Sequence, residues 1–303
     1  MKPILALDIG GSKFVLGIVS PEGEIITSKQ YPIPQGTDMD GQLALFRKAR
    51  DGLKLYYGES DVSGLGAAIP AMCDARNGLW LHAPFSGINN IPIRDLLADI
   101  FKLDTYIEND VNACVVGERR FGACRDVDDF LWVTVSNGVG GGIFADGKLY
   151  TGGSGLAGEI GHITVDETDP IVCGCGKKGC VEAMCAGPGI GKRYCRAAGL
   201  EWTPGFKSKE VSELARNGDE LAKEIFNQTG TMLGKAFATS ACLLNPSMII
   251  IGGGVTYDYD LFAEPMQEAF LKYSLPESAK NVRIIKTPLG YNAALIGAAA
   301  LVP

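Results

Sequence analysis

Ile4-Leu-Ala-Leu-Asp8-Ile-Gly10-Gly11-Ser12-Lys13-Phe-Val-Leu-Gly-Ile-Val19 is an apolar run, a short polar turn with two glycines, and a second apolar run. Aliphatic and β-branched residues bounded by glycine predict two strands joined at a tight turn. Pro21-Glu-Gly23 then turns the chain into residues 24–31, so three antiparallel strands are expected to open the fold. The backbone N–H groups of Gly10 and Gly11 can cradle phosphate oxygens at such a turn. Asp8 stands at the strand end, where a carboxylate can hold a hydrated magnesium ion that accompanies a nucleotide. The bland alternative, a turn-forming aspartate, leaves its position before Gly-Gly unexplained.

The same pattern returns farther along. Residues 130–136 are an apolar strand, Asn137-Gly138-Val-Gly140-Gly141-Gly142 a glycine turn, residues 143–145 the next strand and Asp146-Gly147 a hairpin turn. Between the copies, periodicity predicts a helix over 39–57, a buried strand over 62–69 and a helix over 91–101 behind Pro92. A strand over 105–108 then leads into a helix from Asp110 to about 121. Beyond 182 come helices over 210–217 and 220–244, a strand over 247–251 ending in Gly252-Gly253-Gly254, a strand over 282–287 and an Ala-rich helix over 292–301. Strands alternate with helices, so the class is α/β, and the repeated opening implies a duplicated chain. Two such halves are expected to meet at a cleft with one phosphate loop on each side, since ligands favour domain interfaces. Either glycine turn alone is equally a plain hairpin; the repetition and the third glycine loop favour a ligand.

The 303 residues exceed what one hydrophobic core usually supports, so two domains are expected. The hydrophobic share of 46% is that of a globular protein, and no apolar run is long enough to span a bilayer. The formal charge of −7 excludes nucleic acid as the main partner, because such proteins cluster Lys and Arg against phosphates. Arg119-Arg120 and Lys177-Lys178 are too short for that and read as solvated surface.

Glu159-Ile-Gly-His162 and Cys173-Gly-Cys175-Gly-Lys-Lys-Gly-Cys180-Val-Glu182 hold one of two histidines and three of nine cysteines. Three thiolates and an imidazole form the tetrahedral set zinc prefers, and the shell is closed, so the metal is expected to be structural. A closed shell also excludes a zinc hydrolase, which needs an open position for water. An odd number of cysteines and no apolar leader after Met1 argue against disulfides and for reducing cytosol. Cys73, Cys114, Cys124, Cys185, Cys195 and Cys242 lack ligand spacing and are expected to be buried or half-buried. His82 is expected in a loop, as a surface or satisfied side chain.

Asp8-Ile-Gly-Gly-Ser-Lys13, Glu108-Asn109-Asp110-Val-Asn-Ala113, Glu159-x-Gly-His162 and the Cys173 to Glu182 loop, in this order, resemble the ROK family of bacterial sugar kinases and related repressors. The likeness runs from Ile4 to about Leu301, and the zinc loop is its most specific part. It implies the duplicated actin-like, hexokinase-like (ribonuclease H-like) fold, with ATP and sugar meeting in the cleft between two lobes. The lobes are expected over 1–113 with 291–303, and over 114–290. By the resemblance, Asp110, which on its own residues reads as an N-cap, a base or both, takes the hydroxyl proton. Asn109, Asp110, Glu159, His162 and Glu182 match the family's sugar-binding positions. Asp8, Gly10, Gly11, Ser12, Lys13, Asn137, Gly138, Gly140, Gly252, Gly253 and Gly254 match its ATP and phosphate positions. His162 is expected to serve twice, one ring nitrogen on zinc and the other towards the sugar.

The implied activity is magnesium-dependent transfer of phosphate from ATP to a hexose, foremost glucose at its 6-hydroxyl, with N-acetylmannosamine and fructose as alternatives. A cytoplasmic homodimer is implied as well. The family's repressors carry a helix-turn-helix domain ahead of the glycine-loop strand; here that strand begins at Ile4, so an enzyme is expected. Three positions depart from the family's pattern: Asn137 where Thr is frequent, Ala71 where Gly often follows Pro70, and residues 83–88, with Phe85 among them, where a sugar-contacting Asn is common.

Overall fold

A computed structural model describes residues 2–53, 61–83 and 87–303. The end of the helix expected over 39–57 and Phe85 of the 83–88 segment lie outside the described residues. The chain divides into two compact units, residues 1–126 with 292–303 and residues 127–291. Among the described residues no helix is long and apolar enough to cross a membrane.

In the first unit β1 (Ile4–Ile9), β2 (Lys13–Val19) and β3 (Ile25–Pro32) pair antiparallel, as the opening stretch predicts. β4 (Leu65–Ile69) and β8 (Thr105–Asn109) then add in parallel, giving the order β3-β2-β1-β4-β8. Every residue of β4 is buried, which suits a central strand covered on both faces. Helices α1 (Met39–Leu53) and α2 (Ile93–Phe101) supply Phe46, Leu97 and Phe101 to one core, where Phe14 meets Phe46 edge to face at 4.8 Å. α3 (Asp110–Arg120) packs on the chain's last helix, α10 (Ala293–Ala300). That approach is glycine-dependent: a Cβ on Gly297 would lie 2.3 Å from the Ala113 carbonyl oxygen, and one on Gly66 would lie 1.8 Å from that of Ala298. The first unit keeps α3, and Ala113 within it, whole.

A small antiparallel sheet of β5 (Met72–Asp74), β6 (Leu79–Ala83) and β7 (Ile88–Ile91) was not expected. His82 is therefore on a strand, paired with Met72 and Asn89, and not in a loop; it is exposed, as expected. This sheet buries Trp80 completely, and the indole N–H donates to the Pro70 carbonyl at 2.9 Å.

The second unit repeats the plan. β9 (Phe130–Val135), β10 (Val139–Ala145) and β11 (Lys148–Tyr150) pair antiparallel; β12 (Met248–Gly252) and β13 (Arg283–Lys286) add in parallel, giving β11-β10-β9-β12-β13. Asp146 and Gly147, both at positive φ, make the tight turn between β10 and β11. The helices are α4 (Val181–Cys185), α5 (Gly187–Ala197), α6 (Ser208–Arg216), α7 (Glu220–Leu244), α8 (Ala263–Tyr273) and α9 (Pro276–Ala279). α7 packs closely on α8 because Gly230 and Gly234 admit the backbone at Phe262 and Met266.

Two surface readings need correcting. Cys242 is exposed: α7 turns Ala238 and Ala241 inward and leaves this position to solvent. Arg120 is half-buried and donates to the carbonyls of Ala300 and Val302, fastening the chain's end to α3.

Candidate active site

On the first unit, Asp8 at the end of β1 sits in register with Ala68 of β4, which in turn pairs with Glu108 of β8. The strand-to-helix junction follows at once. Asn109, and not Asp110, is the N-cap of α3: its Oδ1 accepts from the N–H groups of Val111 at 3.0 Å and Asn112 at 3.2 Å. Its Nδ2 donates to the Ala71 carbonyl and to Asp110 Oδ1, each at 2.9 Å. The amide of Asn109 is thereby fully engaged within the protein. Asp110 Oδ1 also accepts from Val111 N–H at 3.0 Å. Glu108, part of the motif but not assigned a role from sequence, braces the junction through Asn109 N–H at 2.8 Å and Asn112 Nδ2 at 3.2 Å.

Burial pushes the Asp8 carboxyl up to about 6, against the pull of Lys13. Burial, and then the charge of Asp8, push Asp110 up to about 7. A carboxyl poised there suits a general base at neutral pH.

Ala71 has φ 62°, the left-handed region. This is the physical reason glycine suits the position, and the strained carbonyl is the one that Asn109 holds.

In the first glycine turn, Gly10 N–H is spent on the Lys13 carbonyl at 2.8 Å, and among the described residues the N–H groups of Gly11 and Ser12 are the turn's open donors. Lys13 Nζ reaches Gln30 Oε1 at 2.8 Å.

On the second unit the glycine turn is closed by Ser136 N–H to the Gly138 carbonyl at 2.8 Å. Gly140 continues into β10. Gly253 has φ 90°, and a Cβ there would lie 2.4 Å from the Val135 carbonyl oxygen; one on Gly254 would lie 3.5 Å from Ser136 Oγ. The third glycine loop, entered from Gly252 at the end of β12, thus lies against the end of β9. Glu182 accepts from Val139 N–H at 3.1 Å, and a Cβ on Gly138 would come within 2.6 Å of its Oε2.

His162, Cys173, Cys175 and Cys180 offer four ligand atoms all within 4.8 Å of one another. Cys175 and Cys180 sulfurs are 3.7 Å apart, and Cys173 Sγ is 3.6 Å from His162 Nδ1. Zinc bonds of about 2.3 Å to sulfur and about 2.0 Å to nitrogen, at tetrahedral angles, put S···S near about 3.8 Å and S···N near about 3.5 Å. The donor set and its spacing fit the ion. Gly176 and Gly179 take positive φ in the loop, and a Cβ on Gly179 would strike the Asp166 carbonyl. Burial holds the Cys180 thiol up near about 12 and raises Cys173, so a cation is needed to draw off their protons. His162 Nε2 faces Glu159 Oε2 at 3.6 Å, and Glu182 Oε1 stands 3.8 Å from Cys173 Sγ. Glu159 precedes the short 3-10 turn Ile160–His162 that carries the imidazole.

Comparisons with known proteins give the family and the fold. A glucokinase of Thermotoga maritima is 30% identical over 99% of this chain and 96% of that protein. A xylose repressor of Caldicellulosiruptor bescii is 27% identical over 99% of this chain and 77% of its own length. Among solved structures, a ROK family glucokinase from Streptomyces griseus in complex with glucose and AMPPNP superposes with a TM-score of 0.85, at 30% identity and 99% coverage of both chains. The duplicated five-stranded plan is the actin-like, hexokinase-like fold of those kinases. The ROK family model matches residues 4–303, which takes in both glycine turns, the Glu108-Asn109-Asp110 junction and the cysteine loop; the chain belongs to the ROK family.

Proposed function

We propose that this chain phosphorylates glucose at its 6-hydroxyl with ATP. The observation that carries the reading is Asp110, a carboxyl held by Asn109 and Val111 and raised to about 7 by burial and Asp8. The relatives named above, a glucokinase and a glucokinase bound to glucose and a nucleotide, support glucose and ATP as the substrates.

Phosphoryl transfer needs a positioned hydroxyl, an in-line phosphate and neutralised charge, with little covalent work by the protein. Asp110 accepts the proton of the attacking hydroxyl as the bond to phosphorus forms. In the first unit Asp8, Gly11, Ser12 and Lys13 are the phosphate residues; in the second, Asn137, Gly138 and Gly140, with Gly252, Gly253 and Gly254, are the nucleotide residues. Asp8 is the carboxylate that would hold magnesium, probed as a hydrated ion; when bound, the ion supplies charge neutralisation on the phosphates. Glu159, His162 and Glu182 hold sugar hydroxyls, and zinc on Cys173, Cys175, Cys180 and His162 Nδ1 would fix the imidazole so that Nε2 presents a constant face. Asn109 acts on Asp110 and enters the sugar's shell only by exchanging one of its internal bonds. A cytoplasmic homodimer completes the proposal.

A coupled assay with magnesium-ATP and a panel of glucose, fructose, mannose, N-acetylmannosamine and N-acetylglucosamine tests it. Glucose should give the highest kcat/KM. A higher value for N-acetylmannosamine or fructose overturns the substrate, and no turnover with any sugar overturns the kinase reading.

A further inference from the structure

Beside Asn137 stands a cation that no motif announces. Lys207 Nζ donates to Asn137 Oδ1 at 2.9 Å across 70 residues of sequence. Lys207 is half-buried at the N-cap of α6, and its own N–H is held by Glu210 Oε2 at 2.8 Å. The side chain therefore leaves the backbone from a fixed point. Two further segments meet the same hairpin tip. Gly187 at the start of α5 donates its N–H to the Ser136 carbonyl at 2.7 Å, and Gly254 approaches Ser136 Oγ.

The charges around this tip are unbalanced for a polyanion. Glu182 lies on one flank, bonded to Val139 N–H and close enough to Gly138 to exclude a Cβ. A nucleotide phosphate entering here meets that carboxylate and requires a cation to offset it. An ammonium has three donors, and Lys207 spends one on Asn137; among the described residues no carboxylate takes the other two. Asn137 in turn spends its Oδ1 on Lys207 and keeps both Nδ2 hydrogens. Where the family often has Thr, this chain carries an amide that can tether a lysine and still donate.

We propose that Lys207, tethered by Asn137, binds the phosphates of the nucleotide substrate. The proposal rests on the kinase reading and adds a nucleotide-binding residue to it. The alternative, a lysine that only props the turn, makes a different prediction. A phosphate contact discriminates by the ligand's charge; a prop affects every ligand of the turn alike.

The test is calorimetric titration of the intact, zinc-loaded protein with magnesium-AMPPNP and, separately, with adenosine. K207M should weaken AMPPNP by about 10- to 100-fold, the loss of a charge-assisted hydrogen bond, while adenosine affinity changes by less than about twofold. K207R should recover most of the loss. The decline of AMPPNP affinity with added salt should be shallower in K207M than in wild type. N137A should lose part of the AMPPNP affinity, and K207M/N137A should lose less than the sum of the two single losses. Wild-type affinity in K207M, or equal losses for AMPPNP and adenosine, overturns the phosphate contact, and additive losses in the double variant overturn the tether. Wild-type protein that binds neither ligand overturns the underlying nucleotide reading instead.

Discussion

Glu182 Oε2 accepts a hydrogen bond from the backbone N–H of Val139 at 3.1 Å, so the helix that follows the cysteine loop grips the second glycine turn. One carboxylate touches the second glycine turn through Val139 and faces the cysteine–histidine cluster through Cys173. Substituting Glu182→Ala should raise KM for both glucose and ATP, by about 10-fold or more for the lost charged acceptor, and lower kcat as well. Glu182→Gln keeps an acceptor for Val139 N–H and removes the negative charge, so the ATP KM should hold or fall while that of glucose still rises. Steady-state kinetics with each substrate varied in turn decides; identical effects of both variants on the ATP KM would count against the link.

Asp110→Asn preserves the acceptor for Val111 N–H and removes the basic lone pair. Turnover should fall by about two to four orders of magnitude while the fold is retained. Near wild-type turnover in the coupled assay would exclude Asp110 as the base.

The pH dependence follows in sign from the same residue. With Asp110 raised to about 7, kcat/KM for glucose should climb as pH rises through about 7, because only the ionised carboxylate accepts a proton. Stability runs the other way. The folded state keeps protons on Asp8 and Asp110 that the unfolded chain has released above about 4, so these groups favour folding at low pH and that contribution is lost as pH rises through about 6 to 7. Asp110→Asn should flatten this slope in thermal melts taken between pH 5 and about 8; a slope unchanged by the substitution would refute the assignment.

Purified protein should contain about one zinc per chain, and Cys175→Ser should lower zinc content and melting temperature together, since the loop folds around the ion. Elemental analysis that finds active enzyme without zinc would remove the site.

Ala71→Gly should stabilise the protein by about 0.5–1 kcal/mol: relief of the left-handed alanine exceeds the added entropy of the unfolded chain. Denaturant titration measures it. A loss of stability would mean that the turn is not strained.

What the sequence made legible were features with period and punctuation. The two strand-turn-strand openings and α7 over 220–244 appear as expected because glycine turns and a long apolar stripe are local signals. The sheet of β5, β6 and β7 escaped, since strands of three to five residues show no usable alternation. At the junction, Asn109 and Asp110 both suit an N-cap, and only backbone geometry shows that Asn109 caps and Asp110 does not. Lys207 was invisible for a different reason: its partner lies 70 residues away, and no spacing rule reaches that far.

The helix α10 closes the first unit from the far end of the chain. Its Gly297 seats against Ala113, in the helix that Asp110 begins, and its Ala298 against Gly66 in the central strand. During synthesis, residues 127–291 are a continuous stretch able to fold as they emerge, while the unit begun by Ile4 waits with its slot open until residues 293–300 leave the ribosome. The unit that carries Asp110 is therefore finished last, and a nascent chain completes its core only once the last turn of α10 is in place.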